Sequence, residues 1–171
     1  MKIAIINPNS TVSMTDTMVA AALAVKGPGT QVMGMTAGYG PVSIEGYYDE
    51  VFSVPPMLEA IQSVRDEVDG VVVGCFDDTG VDAARCVIDG PVIGICQAAM
   101  QAAAVVSGSF SVVTTLRRSV PALEHLAVKY GFERMCRRVR ACEVPVLELE
   151  DPAGGAGRLI RAEIAAALEE D

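Results

Sequence analysis

Residues 71–81 read VVVGCFDDTGV. A valine run stops at Gly74, and the Cys75 thiol follows where a buried strand gives way to a polar loop. A cysteine ordinarily titrates near 8.5, so close to neutrality it can act as an acid, a base or a nucleophile. Two readings of Cys75 stand side by side. Free cysteine is often an inert, buried, small hydrophobe. A thiol at a strand's carboxyl end, just ahead of a short helix, has N–H groups in front of it that lower its pKa and make it reactive. Asp77 and Asp78 act the other way if they face the sulfur, because like charge disfavours the thiolate. Otherwise they cap the helix expected at Val81.

The remaining thiols are Cys86, Cys96, Cys136 and Cys142. Five cysteines with no C-x-x-C pair and no secretion signal point to free thiols. Cys96 also follows a strand and is the second candidate thiol, although a core residue at a helix start reads the same way. The one histidine, His125, sits among charged helix residues and is expected at the surface. A Cys/His zinc site is therefore not expected.

These groups need a scaffold. Short β-branched runs alternate with alanine-rich helical patterns. Strands are expected at Lys2–Ile6, Gln31–Met35, Gly70–Val73, Pro91–Ile95 and Phe110–Thr114. A sixth is expected at Met135–Arg140, with Val144–Leu149 as its continuation. Helices are expected from the Asn9-Ser10-Thr11 cap to about Val25, over about Asp49–Asp66 with Pro55 and Pro56 disturbing the middle, and over Val81–Val87. Further helices are expected over Gln97–Val106, Val120–Tyr130 and Leu159–Glu169, the last after a Pro/Gly-rich linker at 151–157. The order predicts an α/β fold with parallel sheets and right-handed crossovers. The pattern ends on a helix with no strand after it, as if cut off in mid-cycle.

In open α/β sheets ligands sit at the carboxyl ends of the strands. There the sequence places Asn7 to Thr11, Cys75 to Asp78, Cys96 and Gln97, and Thr114 to Leu116: amides, hydroxyls and thiols on one edge. No glycine fingerprint for a nucleotide follows any strand. NPNST reads either as a small-ligand loop or as a plain turn and helix cap. The formal net charge of −9 argues against nucleic acid and anionic membranes. Arg137, Arg138 and Arg140 read as solvated surface. No apolar run reaches the ~20 residues of a membrane span, and no leader pattern opens the chain, so a cytoplasmic location is expected.

INPNST at 6–11, PVSIEGYYDE at 41–50, GCFDDTG at 74–80, GPVIGICQAAMQAA at 90–103, FSVVTTLRRSVP at 110–121 and VRACEVPVLELE at 139–150 resemble the hydantoin racemase group of the Asp/Glu racemase superfamily. Allantoin racemases are close relatives. The resemblance implies two pseudo-symmetric, Rossmann-like lobes with the active site between them, here at 1–96 and 97–171, the second lobe incomplete. It implies cofactor-independent racemisation at C5 of 5-substituted hydantoins by two cysteines, with a small ureide as the partner and a homo-oligomer as the assembly. By position, Cys75 matches the first catalytic cysteine. Asn9, Ser43, Phe76, Thr114 and Thr115 match substrate-binding positions, Ser43 more weakly. The strand that carries the second catalytic cysteine is expected to follow the last helix, so racemisation by these residues alone is in question. An allantoin racemase, a related carbanion-forming isomerase or decarboxylase, and an inactive fragment that binds a ureide or another chain are the alternatives.

Overall fold

The computed structural model describes residues 1–151 and 153–171. The linker expected at 151–157 includes Pro152, which lies outside the described residues. The elements run β1 (Lys2–Asn7), α1 (Val12–Val25), β2 (Gln31–Thr36), α2 (Tyr47–Val64), β3 (Gly70–Val73), α3 (Val81–Ala84), β4 (Val92–Gly94), α4 (Ile95–Val106), β5 (Phe110–Thr114), α5 (Val120–Lys129), β6 (Cys136–Ala141) and α6 (Ala156–Glu170). They group into two compact units, residues 1–44 with 48–96 and residues 45–47 with 97–171.

The first unit is built on a four-stranded sheet in the order β2-β1-β3-β4, parallel throughout. The register pairs Ala4 with Val71 and Ile6 with Val73, so these four side chains share one face. Met57, Ile61 and Val64 of α2 close over that face, with Val81 and Ala84 of α3 and Val92. The buried α2 positions, Ser53, Pro56, Met57, Ala60, Ile61 and Val64, recur at helical spacing. Cutting a fully enclosed residue such as Ile61 or Met57 back to alanine costs about 2–5 kcal/mol. α1 covers the other face. A Cβ on Gly34 would strike Val19 and Thr15, and one on Gly74 would strike Met18. With both faces covered, β3 is necessarily almost all valine.

Pro55 and Pro56 do not break α2, which runs through both. They deny amide partners to the carbonyls of Val51 and Phe52, but the buried stripe from Met57 to Val64 holds the helix in place. α3 stops at Ala84, shorter than its apolar pattern suggested.

The second unit pairs β5 and β6 in parallel. Val112, Val139, Leu123, Ala127 and Val144 are buried in it. The expected strand at 144–149 is instead a 3-10 turn over Val146–Glu150. Glu143, at φ +55, turns the chain out of the sheet direction just before Pro145. Arg140 corrects the surface reading of the basic cluster. Its guanidinium is buried and donates to Glu163 at 2.5 Å, Glu170 at 2.9 Å and Asp171 at 3.0 Å, while Arg137 and Arg138 are exposed. Residues 45–47 are held by Arg118 and the Val146 N–H on Glu45, and by Tyr47 on His125 Nδ1 at 2.5 Å. His125 is exposed, as expected.

Candidate active site

The first unit's sheet ends in two loops that carry most of the candidates. Asn7 ends β1 with its side chain fully enclosed. Its Nδ2 donates to Asn9 Oδ1 at 2.9 Å, to the Thr11 carbonyl and to Thr15 Oγ1. Asn9 Oδ1 also takes the Thr11 N–H, and Asn9 Nδ2 faces Met14 Sδ. The acceptor atom of the Asn9 amide is thus spent on the loop, and what it retains for a ligand is donor capacity. Thr11 precedes α1, but its hydroxyl caps nothing. It donates to the Val42 carbonyl at 2.6 Å, and Ser10 reaches the carbonyls of Gly40 and Pro41. These bonds tie NPNST to the loop bearing half-buried Ser43, so Asn9 and Ser43 sit on joined loops.

Cys75 follows β3 and is half-buried. Its Sγ lies 3.3 Å from Thr79 Oγ1, and its carbonyl takes the Asp78 N–H at 3.0 Å. Burial, then the charge of Asp77, push the thiol up to about 12, while Thr79 and the backbone groups of Asp77 and Thr79 pull it down. Of the two directions open from sequence, carboxylate charge disfavouring the thiolate agrees with this one. α3 has only four residues, and burial outweighs its N–H groups. Phe76 points outward, 37% exposed.

The two aspartates have separated roles. Asp78 adopts φ +48 and is 6% exposed. Its Oδ1 accepts the Cys96 N–H at 2.9 Å, so it caps the start of α4 rather than the expected helix at Val81. Asp77 is pushed up to about 7 by burial, then by the charges of Glu50 and Asp78. Glu50 is raised by burial. Cys96 is fully enclosed, 0% exposed, which fits the core reading of that thiol.

Thr79 and Glu50 were not among the candidates from sequence. Thr79 had a signal, its spacing of four from Cys75 on a tight loop. Glu50 had one too, standing one helical turn before the buried stripe of α2. Thr114 and Thr115 lie in the second unit at the end of β5, half-buried, with their carbonyls taken by the N–H groups of Cys142 and Val144. Among the described residues no group of His, Cys, Asp and Glu is arranged to hold a metal ion, and no helix is long and apolar enough to cross a membrane.

Comparison with known proteins agrees with this architecture. The family profile described as Asp/Glu/Hydantoin racemase matches residues 3–171. The hydantoin racemase of Rhizobium meliloti is 52% identical over 172 residues, an overlap covering 100% of this chain and 71% of the relative. That of Pseudomonas sp. (strain NS671) is 40% identical, covering 100% of this chain and 69% of the relative. Among solved structures, the allantoin racemase from Klebsiella pneumoniae superposes with a TM-score of 0.97 at 44% identity, covering 100% of this chain and 70% of that one. A parallel α/β scaffold with a thiol at the carboxyl end of a central strand, matched along the whole chain, places this protein in the Asp/Glu/hydantoin racemase family of isomerases.

Proposed function

We propose that the protein racemises 5-substituted hydantoins without a cofactor, and that Cys75 is one of two thiol acid/bases. The observation that carries this reading is Cys75 itself. It is a half-buried sulfur at the end of β3, bonded to Thr79 Oγ1 at 3.3 Å. A hydantoin C5–H lies beside the C4 carbonyl. When a thiolate takes that proton, the C–H electron pair delocalises onto the carbonyl oxygen as an enolate. A thiol on the opposite face then returns a proton to C5, giving the mirror enantiomer. The first sulfur is left protonated and the second as thiolate, so the two thiols exchange states at each turnover. Thr79 and the backbone N–H groups near Cys75 stabilise its thiolate before it takes the C5 proton. Asn9, Ser43, Phe76, Thr114 and Thr115 are the proposed contacts for the ring and its C5 substituent.

Hydantoin is favoured over allantoin by the 52% identity to the Rhizobium meliloti enzyme, against 44% to the allantoin racemase of known structure. The test is C5 hydrogen–deuterium exchange in D2O, followed by NMR and optical rotation on one enantiomer of 5-benzylhydantoin, with allantoin in parallel and Cys75→Ala as control. C5 exchange that Cys75→Ala abolishes is the expected result, with racemisation as the mark of a second thiol on the opposite face. Exchange with retention of configuration would mean that Cys75 works alone from one face and would refute the two-thiol mechanism. No exchange above the Cys75→Ala control would refute the assignment of this thiol.

A further inference from the structure

Among the described residues, three polar atoms of the first unit are buried with no hydrogen-bond partner: Glu50 Oε1, Ser53 Oγ and Asp77 Oδ2. Such groups are rare, and each one calls for an explanation. They belong together. Glu50 and Ser53 are one turn apart on α2, continuing toward its N-terminus the stripe that Met57 and Ile61 bury. Val54 and Met57 of the same helix pack against Gly80, so α2 lies on the loop that follows Cys75. The charge of Glu50 acts on Asp77, and the charge of Asp77 acts on Cys75. Ser53 is 0% exposed. The cluster holds more acceptor sites than donors, the Ser53 hydroxyl supplying one O–H, and it stands beside the proton-transfer thiol.

A hydantoin carries a donor for this cluster. Its N1–H is bonded directly to C5, so a ring with C5 at the Cys75 sulfur presents a donor within one bond of the reacting carbon. We propose that Glu50, Ser53 and Asp77 form an acceptor subsite for the ring N1–H, which makes them specificity-determining residues for cyclic ureides. This rests on the function proposed above. It goes further in assigning the recognition of the nitrogen, as distinct from the carbon acid, to α2 and the loop after β3. A substrate lacking that donor would leave buried acceptors unpaired, a loss that discriminates far more strongly than a missing methylene.

The experiment compares 5-benzyl-3-methylhydantoin with 5-benzyl-3-methyloxazolidine-2,4-dione. The pair differs in a single replacement, N1–H by oxygen. C5 exchange by the full chain is measured for both, each rate divided by that compound's buffer-catalysed rate to remove intrinsic acidity. Unmethylated 5-benzylhydantoin with Cys75→Ala is run alongside. The wild-type chain is expected to prefer the N–H compound by at least about tenfold in kcat/KM. Glu50→Gln and Asp77→Asn are each expected to shrink that preference to within about threefold. Ser53→Ala, the mildest change, should shrink it in the same direction and serves if a carboxyl variant does not fold. A preference that survives in the folded variants overturns the subsite. So does equal handling of the two compounds, or failure of the 3-methyl hydantoin where the parent is turned over. If the parent shows no Cys75-dependent exchange, the proposed function itself has failed, which is a different and recognisable result.

Discussion

Gly94→Ala tests how the catalytic loop is held in place. Gly94 ends β4, and a Cβ there would overlap the carboxylate of Asp78. That carboxylate is buried, accepts the Cys96 N–H at 2.9 Å, and belongs to a residue whose own N–H is bonded to the Cys75 carbonyl. It has two responses. If Asp78 swings away, the chain loses a charge-assisted hydrogen bond of about 1.5–3 kcal/mol and leaves the first N–H groups of α4 uncapped. If β4 retreats instead, the overpacking costs about 1–3 kcal/mol. Either route gives a loss of roughly 1–3 kcal/mol. The partner experiment is Asp78→Gly, which removes the carboxylate and suits the φ of +48. In that background Gly94→Ala should cost less than about 1 kcal/mol. Urea unfolding followed by circular dichroism, with hydrogen exchange at the Cys96 amide, reads the cycle. An equal cost for Gly94→Ala in both backgrounds would refute the idea that Asp78 links the Cys75 loop to α4.

Three further outcomes are expected. Thr79→Val removes the hydroxyl that faces Cys75 Sγ. A net hydrogen bond of about 0.5–1.5 kcal/mol converts to a slowing of Cys75 alkylation by roughly threefold to tenfold at fixed pH, read by site-resolved mass spectrometry. Asp77→Asn removes the negative charge beside the thiol, so the alkylation limb of Cys75 should move to lower pH. The same variant has a signature in stability. The folded Asp77 carboxyl is raised to about 7 from 3.8, so its contribution is full below about pH 4 and is lost as pH rises toward 7. The asparagine variant should lack that slope, which denaturant titrations between pH 4 and 7 would show. Arg140→Met removes the cation of Glu163 and leaves Glu170 and Asp171 only their longer pairs to exposed Arg138. α6 should then lose amide protection in hydrogen exchange while β3 keeps it.

The parts of the fold legible in the sequence are those governed by short-range pattern. The all-valine β3, the strand-end clusters of polar residues and the helical period of α2 each arise within one element. They place Cys75 and Asn9 at sheet ends without knowledge of any distant contact. What the sequence hid depends on partners far along the chain. Asp78 reads locally as a cap for the helix just after it, yet its carboxylate reaches the amide of Cys96. Arg140 stands among exposed arginines, and only the carboxylates of α6 convert it into a buried ion. The segment at 144–149 has strand composition, but the left-handed residue Glu143 and Pro145 direct it into a 3-10 turn. Burial misled most at Cys75 itself. A helix start suggests a lowered thiol pKa, whereas four residues of α3 supply too little field to offset desolvation.

That reversal bears on how the thiol works. A pKa raised from 9.0 to about 12 lowers the thiolate population near neutrality by about a thousandfold. The stronger base recovers part of the loss. With a Brønsted exponent near one half, as thiolates show toward other electrophiles, the recovery is about thirtyfold. Cys75 therefore rests as the proton donor, chiefly because it is buried, and the groups around it adjust that balance. Thr79 and the backbone groups lower the thiol pKa, while Asp77, whose own charge depends on Glu50, raises it. A ligand donor that hydrogen-bonds Asp77 screens that negative charge at the moment C5 arrives at the sulfur. Recognition of the ring nitrogen and activation of the base would then be one event, and a carbon acid without the N–H would meet a thiol still held in its neutral form.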